Sequence, residues 1–230
     1  MKKLVIFDLD GTLLDTIKDL GTATNAALEK NGLPVHNIES YPLMVGNGVR
    51  KLIERALPQD YKNDDVIDRI LADFKEYYNE HNTDFTVPYD GIIDLMRDLN
   101  DMGVAIAVAS NKYQDAVTKI IGHYFSKFSI IEAAGQRTGV PVKPDPSIVF
   151  SILLKAEIAK DDVLYVGYSG VDMETAWRAC VDSVGVTWGF RTEQELRTNR
   201  ATFIVHKPMQ IADIVRGENL ESYYNKRSRL

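Results

Sequence analysis

The fold class is decided by the stretch Leu4-Val5-Ile6-Phe7-Asp8-Leu9-Asp10-Gly11-Thr12, near the start of the chain. Its first four residues form a continuous apolar run, which predicts a strand buried on both faces, as in parallel sheets. Two carboxylates and a glycine then end this run with a turn. Because open α/β sheets bind ligands outside the carboxyl ends of their strands, Asp8 and Asp10 stand where a functional site is expected.

The hydrophobic pattern changes twice after this stretch. Residues 16–82 carry apolar residues at helical spacing and predict helices only. From residue 83 helices alternate with apolar runs, and strands are predicted at 104–109, 128–131, 163–166, 184–187 and 203–205. Such alternation indicates βαβ units and a doubly wound parallel sheet.

The domain organisation follows from where the helical block stands. We expect an α/β core with a Rossmann-like doubly wound sheet in residues 1–15 and 83–230, and a helical cap domain inserted at 16–82 after the first strand. Residues 217–230 are polar and charged, which predicts a flexible tail.

Composition excludes several classes of protein. Of the 230 residues, 45% are hydrophobic and 26% are charged, and the net charge is −6. The apolar content argues against a disordered chain, and the single Cys180 against a disulfide scaffold. An acidic balance argues against a nucleic-acid or anionic-membrane partner. With no signal peptide or spanning segment visible, we expect a cytoplasmic protein.

The residue types alone allow three interpretations of Asp8 and Asp10. Two like charges so close need a cation or a shared proton to offset their repulsion. They are a nucleophile with an acid/base partner, a pair of metal ligands, or solvated acids of a turn. The apolar strand before them and the Gly-Thr after them favour a functional role.

Four segments in order resemble the motifs of the haloacid-dehalogenase-like hydrolases, most of which are phosphatases. The first is Asp8-Leu9-Asp10-Gly11-Thr12-Leu13, and the second is Ala107-Val108-Ala109-Ser110-Asn111-Lys112. The third is Val142-Lys143-Pro144-Asp145-Pro146. The fourth is Gly167-Tyr168-Ser169-Gly170-Val171-Asp172, which matches the family pattern only at its glycine and its second acid.

This resemblance implies the roles of the two acids. The family residue that matches Asp8 attacks phosphorus and forms an aspartyl-phosphate, which water then hydrolyses. The residue that matches Asp10 protonates the leaving oxygen and later deprotonates the attacking water.

The resemblance also implies a phosphate-binding set. Ser110 is expected to donate a hydrogen bond to a phosphoryl oxygen, and Lys143 to supply positive charge against the phosphate and the nucleophile. Backbone amides near Leu9, Asp10 and Asn111 add further donors. Two structural alternatives stay open at this point, since Ser110 also suits the N-cap of the following helix, and Lys143 a solvated loop.

The cofactor that the resemblance implies is Mg²⁺. It is expected at Asp8, at the backbone carbonyl of Asp10 and at the acids of the fourth motif, of which Asp172 is present. Tyr168 occupies the position of the usual acidic ligand, and a neutral phenol is a poor ligand for a hard cation. Three readings follow: Asp172 moves into the metal shell, activity persists with weakened metal affinity, or catalysis is lost and a phosphate pocket is kept.

The segment from Val45 to Leu52 resembles the phosphoglycolate-phosphatase branch of the family. Gly46, Asn47, Gly48 and Arg50 are the candidate substrate residues of the cap, and the alternative is a glycine turn before a solvated basic helix face. The sequence therefore predicts a Mg²⁺-dependent phosphatase acting on a small, phosphoglycolate-like metabolite, as a monomer or homodimer. The alternative is a protein that binds a phosphorylated ligand without turnover because of Tyr168.

Overall fold

The structure is a computed structural model and describes residues 1–225. Its strands, in chain order, are β1 (Leu4–Phe7), β2 (Leu14–Asp15), β3 (Val87–Pro88), β4 (Ala105–Tyr113), β5 (Ile130–Gln136), β6 (Val163–Gly167), β7 (Asp182–Val186) and β8 (Phe203–Val205). Its α-helices are α1 (Ile17–Lys30), α2 (Val49–Ala56), α3 (Asp64–His81), α4 (Ile92–Asp101), α5 (Gln114–Tyr124), α6 (Ser147–Ala156), α7 (Gly170–Ala179), α8 (Glu193–Thr198), α9 (Met209–Arg216) and α10 (Leu220–Tyr223).

Six strands form a parallel sheet in the spatial order β5-β4-β1-β6-β7-β8. The first strand lies inside the sheet, with Phe7 paired to Val108 of β4 on one side and to Val166 of β6 on the other. The chain therefore winds outward on one side of β1, returns, and winds outward on the other. This confirms the doubly wound α/β fold, and it puts a topological switch point at the carboxyl end of β1.

Strand β1 is buried on both faces, as its continuous apolar run predicts. All four of its residues are fully buried. Val5 and Phe7 pack in a cluster with residues of α4 and α9, whereas Leu4 and Ile6 pack on the opposite face with residues of α6 and α7. Burial of each such side chain contributes roughly 1.5–3 kcal/mol, so this strand anchors the turn that follows it.

Residues 16–82 form a helical insertion between β2 and β3 and contain no strand. It contains α1, α2, α3 and two short 3₁₀ turns, and its apolar side chains build a separate hydrophobic cluster. Strands β2 and β3 pair antiparallel at its base, with Leu14 opposite Pro88. Because the insertion has its own core, we propose the limits 16–82 for a cap domain.

Two sequence expectations need correction. The strand expected at 128–131 runs instead from Ile130 to Gln136, because Phe128 closes a turn on Phe125 and packs beside it. Part of the expected flexible tail is folded: the Tyr224 ring lies 4.7 Å from that of Phe203, and the Asn225 amide donates to the Thr202 carbonyl at 3.0 Å. Residues 226–230 of that tail lie outside the described residues. Within residues 1–225 no helix is long and apolar enough to cross a membrane.

Candidate active site

The predicted site residues converge on one cavity between the sheet and the helical insertion. Strands β1, β4 and β6 are neighbours, so the residues at their carboxyl ends meet at one edge. On the core side the cavity is lined by Asp8, Asp10, Ser110, Asn111, Lys143 and Tyr168. The insertion supplies the opposite wall, which includes Gly46, Gly48, Leu52 and Phe74.

Asp8 follows β1 directly and is held by its backbone, whose amide donates to the Val166 carbonyl at 2.8 Å. Its side chain is buried, with Oδ1 at 2.8 Å from the Lys143 ammonium and Oδ2 at 3.5 Å from the Thr12 hydroxyl. Burial and the charge of Asp172 raise the pKa of Asp8 to about 7, although Lys143 opposes the shift. The carboxylate thus keeps one oxygen largely free of strong donors, as a nucleophile requires.

Lys143 is buried and bonds to three segments of the core. Its ammonium donates to Asp8 Oδ1 at 2.8 Å, to Asp172 Oδ1 at 2.8 Å and to the Ala109 carbonyl at 2.9 Å. Burial alone would lower the pKa of Lys143, but the carboxylates of Asp172 and Asp8 hold it well above its ordinary value. The lysine is therefore a permanent cation at the floor of the cavity, and the solvated-loop alternative is wrong.

Asn111 positions this lysine. Its side-chain oxygen accepts from the Lys143 amide at 2.8 Å, and its side-chain nitrogen donates to the Lys143 carbonyl at 3.1 Å. These two bonds clamp the third motif to the end of β4. Because the amide side chain is engaged, the group that Asn111 offers to a ligand is its backbone amide.

Asp10 lies on the same turn as Asp8 and is paired with a lysine that sequence reasoning left without a role. The Lys112 ammonium stands 2.8 Å from Oδ1 and 3.1 Å from Oδ2 of Asp10, in a nearly buried ion pair. Lys112 is the residue after Ser110-Asn111 in the second motif, so its place next to a predicted site was the available signal. Lys112 lies near the end of β4, and the direction of that strand decides which carboxylate its ammonium reaches.

Ser110 and Leu9 complete the predicted phosphate-binding set. Ser110 is buried, and its hydroxyl oxygen accepts from the Lys112 amide at 3.2 Å. Helix α5 begins at Gln114 with Tyr113 as its N-cap, so the N-cap alternative for Ser110 is wrong. The Leu9 side chain is fully buried in the core, which leaves its backbone amide as the group available to a ligand.

Asp172 is engaged on both oxygens. Oδ1 accepts from Lys143 at 2.8 Å, and Oδ2 accepts from the hydroxyl and the amide of Ser169 at 2.6 and 3.1 Å in a capping box at the start of α7. The close approach needs a glycine at 167, since a Cβ there would lie 2.3 Å from that of Asp172. The acid is thus a partner of Lys143 and a helix cap.

Tyr168 is buried at the cavity, with 2% of its surface exposed. Its ring meets Phe190 edge-on at 5.2 Å, and a Cβ on Gly189 would lie 2.4 Å from Tyr168 Cβ. Burial, then the charges of Asp8 and Asp172, raise the pKa of its phenol well above the ordinary value. The side chain is therefore a neutral hydroxyl in a fixed position.

These residues do not fit the predicted magnesium site. Within residues 1–225 no group of three or more acidic, histidine or cysteine side chains is arranged to hold a metal ion. Asp8 and Asp172 share the Lys143 ammonium, and residue 168, where the resemblance implies an acid, carries a phenol. Mg²⁺ prefers octahedral charged oxygen, and this donor set supplies little of it.

The four candidate residues of the insertion separate into two pairs. Gly46 and Gly48 line the cavity with positive φ angles of 132° and 83°, which glycine adopts without strain. Arg50 turns instead to Asp64 and Asp68 on the exposed surface of the insertion. Asn47 accepts a hydrogen bond from Arg55 at 2.5 Å. The structure does not bring the Asn47 and Arg50 side chains to the cavity.

Arg191 is a second residue that sequence reasoning missed. Its guanidinium donates to the carbonyls of Pro42 and Val45, the latter at 2.6 Å. Through these bonds the segment after β7 holds the chain that leads into Gly46. No motif marks this arginine, because its partners are backbone atoms about 150 positions away along the chain.

Comparison with known proteins gives a consistent relationship. The sequence model of the family described as haloacid dehalogenase-like hydrolase matches residues 5–186. A protein of Pseudomonas putida named phosphoglycolate phosphatase is 32% identical over 214 residues, which cover 89% of this chain and 76% of the relative.

Solved structures agree with that relationship. A crystal structure from Lactobacillus delbrueckii subsp. bulgaricus, provisionally described as a phosphoglycolate phosphatase, superposes with a TM-score of 0.87 at 32% identity over 94% of this chain and 99% of the other. A predicted phosphoglycolate phosphatase from Haemophilus somnus gives a TM-score of 0.84 at 26% identity over 93% and 97% of the two chains.

Proposed function

The chain belongs to the haloacid dehalogenase-like hydrolase family, and on that premise we propose that it hydrolyses phosphate monoesters of small metabolites through an aspartyl-phosphate on Asp8. The observation that carries this proposal is the pairing of acids and lysines at the cavity floor. Asp8 lies 2.8 Å from Lys143, and Asp10, on the same turn, lies 2.8 Å from Lys112. A buried nucleophile, an acid/base and two cations are what phosphoryl transfer asks of a protein.

The first step is the attack of an Asp8 carboxylate oxygen on phosphorus. An oxygen–phosphorus bond to Asp8 forms while the bond from phosphorus to the ester oxygen breaks. Asp10, in its protonated form, gives a proton to that leaving oxygen. Lys143 and the Ser110 hydroxyl stabilise the charge that spreads over the phosphoryl oxygens.

The second step releases phosphate. Asp10, now a carboxylate, takes a proton from a water molecule that attacks phosphorus, and the bond to Asp8 breaks. Lys143, whose ammonium lies 2.8 Å from Asp8 in the structure, stabilises the carboxylate as it leaves. Both steps use residues of the core, and the insertion excludes bulk water from the cavity.

The size of the cavity supports a small substrate. It leaves about 50 Å³ of free space between core and insertion, which suits only a compact ester. Phosphoglycolate is in the name of the Pseudomonas putida relative, so a phosphoglycolate-like ester is the expected class. The cytoplasmic location and the monomeric or homodimeric state stay predictions, and the donor set does not support a Mg²⁺ requirement.

Phosphate release from phosphoglycolate and from p-nitrophenyl phosphate tests the function, each measured in EDTA and in Mg²⁺. We expect turnover by the natural chain and a loss of about a thousandfold or more in Asp8→Asn, because the amide is no nucleophile. The thermal midpoint of Asp8→Asn should match that of the control Asp101→Asn, which alters an exposed acid. Binding of the esters without any release, or unchanged turnover in Asp8→Asn, would overturn the proposal.

A further inference from the structure

The Tyr168 hydroxyl has no hydrogen-bond partner among residues 1–225, although it is buried. A buried hydroxyl without a partner is unfavourable, and in native proteins such a group calls for an explanation. Tyr168 lines the cavity, and its hydroxyl lies 3.3 Å from where a Cβ on Gly46 would stand. The donor is therefore held between the core and the segment of the insertion that closes over the site.

The ring cannot turn the hydroxyl elsewhere. The Phe190 ring packs edge-on against the Tyr168 ring. Gly11 is also close, since a Cβ added there would lie only 3.0 Å from Tyr168 Cδ1. The contact with Gly189 is tighter still, at 2.4 Å from an added Cβ to Tyr168 Cβ. A rigid aromatic whose polar tip is unpaired at a ligand cavity is pre-organised to donate to a ligand.

The position of Tyr168 is also where the family resemblance places an acidic metal ligand. A neutral phenol donates a hydrogen bond to a phosphoryl oxygen, whereas a carboxylate there would repel the phosphate unless a cation intervened. Lys143 and Lys112 are the cations at the cavity, and both are already paired with carboxylates. A fixed hydrogen-bond donor thus stands where the resemblance implies an acidic ligand.

We propose that Tyr168 is a phosphate-binding residue, that its hydroxyl donates to a non-bridging oxygen of the substrate phosphate, and that the enzyme works without a divalent metal. This inference rests on the proposed function, because it assigns the phosphate of that same substrate. It adds a hydrogen bond and no new covalent step. Tyr168 therefore contacts the group that is transferred.

The main variant is Tyr168→Phe, which removes only the unpaired hydroxyl. We expect the dissociation constant for inorganic phosphate, measured calorimetrically in EDTA, to rise about ten- to a hundredfold, the size of one hydrogen bond to a charged acceptor. The thermal midpoint without phosphate should not fall, since the hydroxyl has no partner to lose. A lower midpoint with unchanged phosphate affinity would show a structural role and overturn the proposal.

The matched control is Tyr89→Phe. Tyr89 also carries a buried hydroxyl without a partner among residues 1–225, but it does not line the cavity. We expect its phosphate affinity and its hydrolysis of p-nitrophenyl phosphate to equal those of the natural chain. A loss as large as that of Tyr168→Phe would remove the specific role of Tyr168.

The metal requirement is tested separately with p-nitrophenyl phosphate. We expect kcat/KM of the natural chain to agree within about twofold in EDTA and in Mg²⁺, and Tyr168→Asp to become dependent on Mg²⁺. Turnover of the natural chain only with Mg²⁺ would overturn this inference and leave the proposed phosphatase function intact. Absence of turnover in both proteins under both conditions would instead overturn the proposed function.

Discussion

Two buried lysine ammonium groups form ion pairs with the three acids of the site. Lys143 bridges Asp8 and Asp172, and Lys112 holds Asp10. Lysines are almost never buried unless they are paired, and their desolvation cost offsets much of the attraction to the acids. We therefore infer that these ion pairs mainly fix the positions of the nucleophile and the acid/base. Their contribution to the free energy of unfolding is expected to be small.

Lys112 is the residue-scale test of this view. We expect Lys112→Met to lower kcat about ten- to a hundredfold, because Asp10 loses the partner that orients it for proton transfer. Lys112→Arg should recover part of the rate, since it keeps a cation within reach of the carboxylate. Steady-state kinetics with p-nitrophenyl phosphate measure both variants. Equal rates for Lys112→Met and the natural chain would show that Asp10 needs no positioning by this lysine.

At the scale of elements, the insertion is tied to the core at two places. The first is the start of α1, where the buried Asp19 carboxylate accepts from the amides of Phe85 and Thr86 and from the Thr86 hydroxyl at 2.7 to 3.0 Å. The second is Arg191, which holds the segment leading to Gly46 by two backbone carbonyls. One tie acts at the base of the insertion and the other at the cavity.

Asp19→Ala tests the tie at the base. We expect it to lower the free energy of unfolding by roughly 2–4 kcal/mol, because several buried donors lose their acceptor. The control Asp101→Ala removes an exposed carboxylate at the end of α4 and should change it by less than about 0.5 kcal/mol. Urea unfolding followed by circular dichroism measures both. Similar losses in the two variants would contradict a structural role for the Asp19 bonds.

Arg191→Ala tests the tie at the cavity. We expect KM for p-nitrophenyl phosphate to rise about five- to tenfold with a smaller effect on kcat, because the segment that carries Gly46 is no longer ordered in advance. Hydrogen exchange at residues 42–48 should become faster. Arg178→Ala is the control, since Arg178 pairs with Glu174 within α7. Unchanged exchange at 42–48 would show that Arg191 does not hold this segment.

At the scale of the whole molecule, the insertion interrupts the core sequence, and the two parts share apolar contacts at their boundary. The hydrophobic cluster of the insertion includes Ala116 from α5 and is packed against Tyr113 and Phe190 of the core. Both tryptophans, Trp177 and Trp188, lie outside the insertion. Tryptophan fluorescence therefore reports on the core alone.

Ile70→Ala tests whether the two parts unfold together. Ile70 is fully buried in the cluster of the insertion, and its truncation should cost roughly 2–5 kcal/mol. We expect tryptophan fluorescence and circular dichroism to show one shared transition at a lower urea concentration, since the shared contacts couple the parts. The control Leu154→Ala alters a residue that is 82% exposed. A fluorescence midpoint that stays at the natural value would contradict the coupling.

Much of the fold was predictable because it depends on hydrophobic periodicity. The apolar runs at residues 4–7 and 203–205 coincide with β1 and β8, and the helical spacing in 16–82 corresponds to an insertion without strands. Short polar elements escaped prediction: α8 carries only Leu196 as a buried residue, and β2 and β3 have two residues each. Their existence depends on partners elsewhere in the chain, which a local pattern does not contain.

The sequence by itself determined the parallel sheet and the meeting of Asp8 and Ser110, because chemistry-bearing residues near the ends of adjacent parallel strands share one edge. Lys143 lies in the loop between β5 and α6, and only the family resemblance predicted that it joins them. The resemblance also predicts an acid at the position that Tyr168 occupies. Only the tertiary structure decided the partners: that Lys112 reaches Asp10, that Arg50 turns to the surface and that the Tyr168 hydroxyl at the cavity is unpaired among residues 1–225. The direction of a side chain follows from packing between distant segments, here Phe190 and Gly189 against the Tyr168 ring.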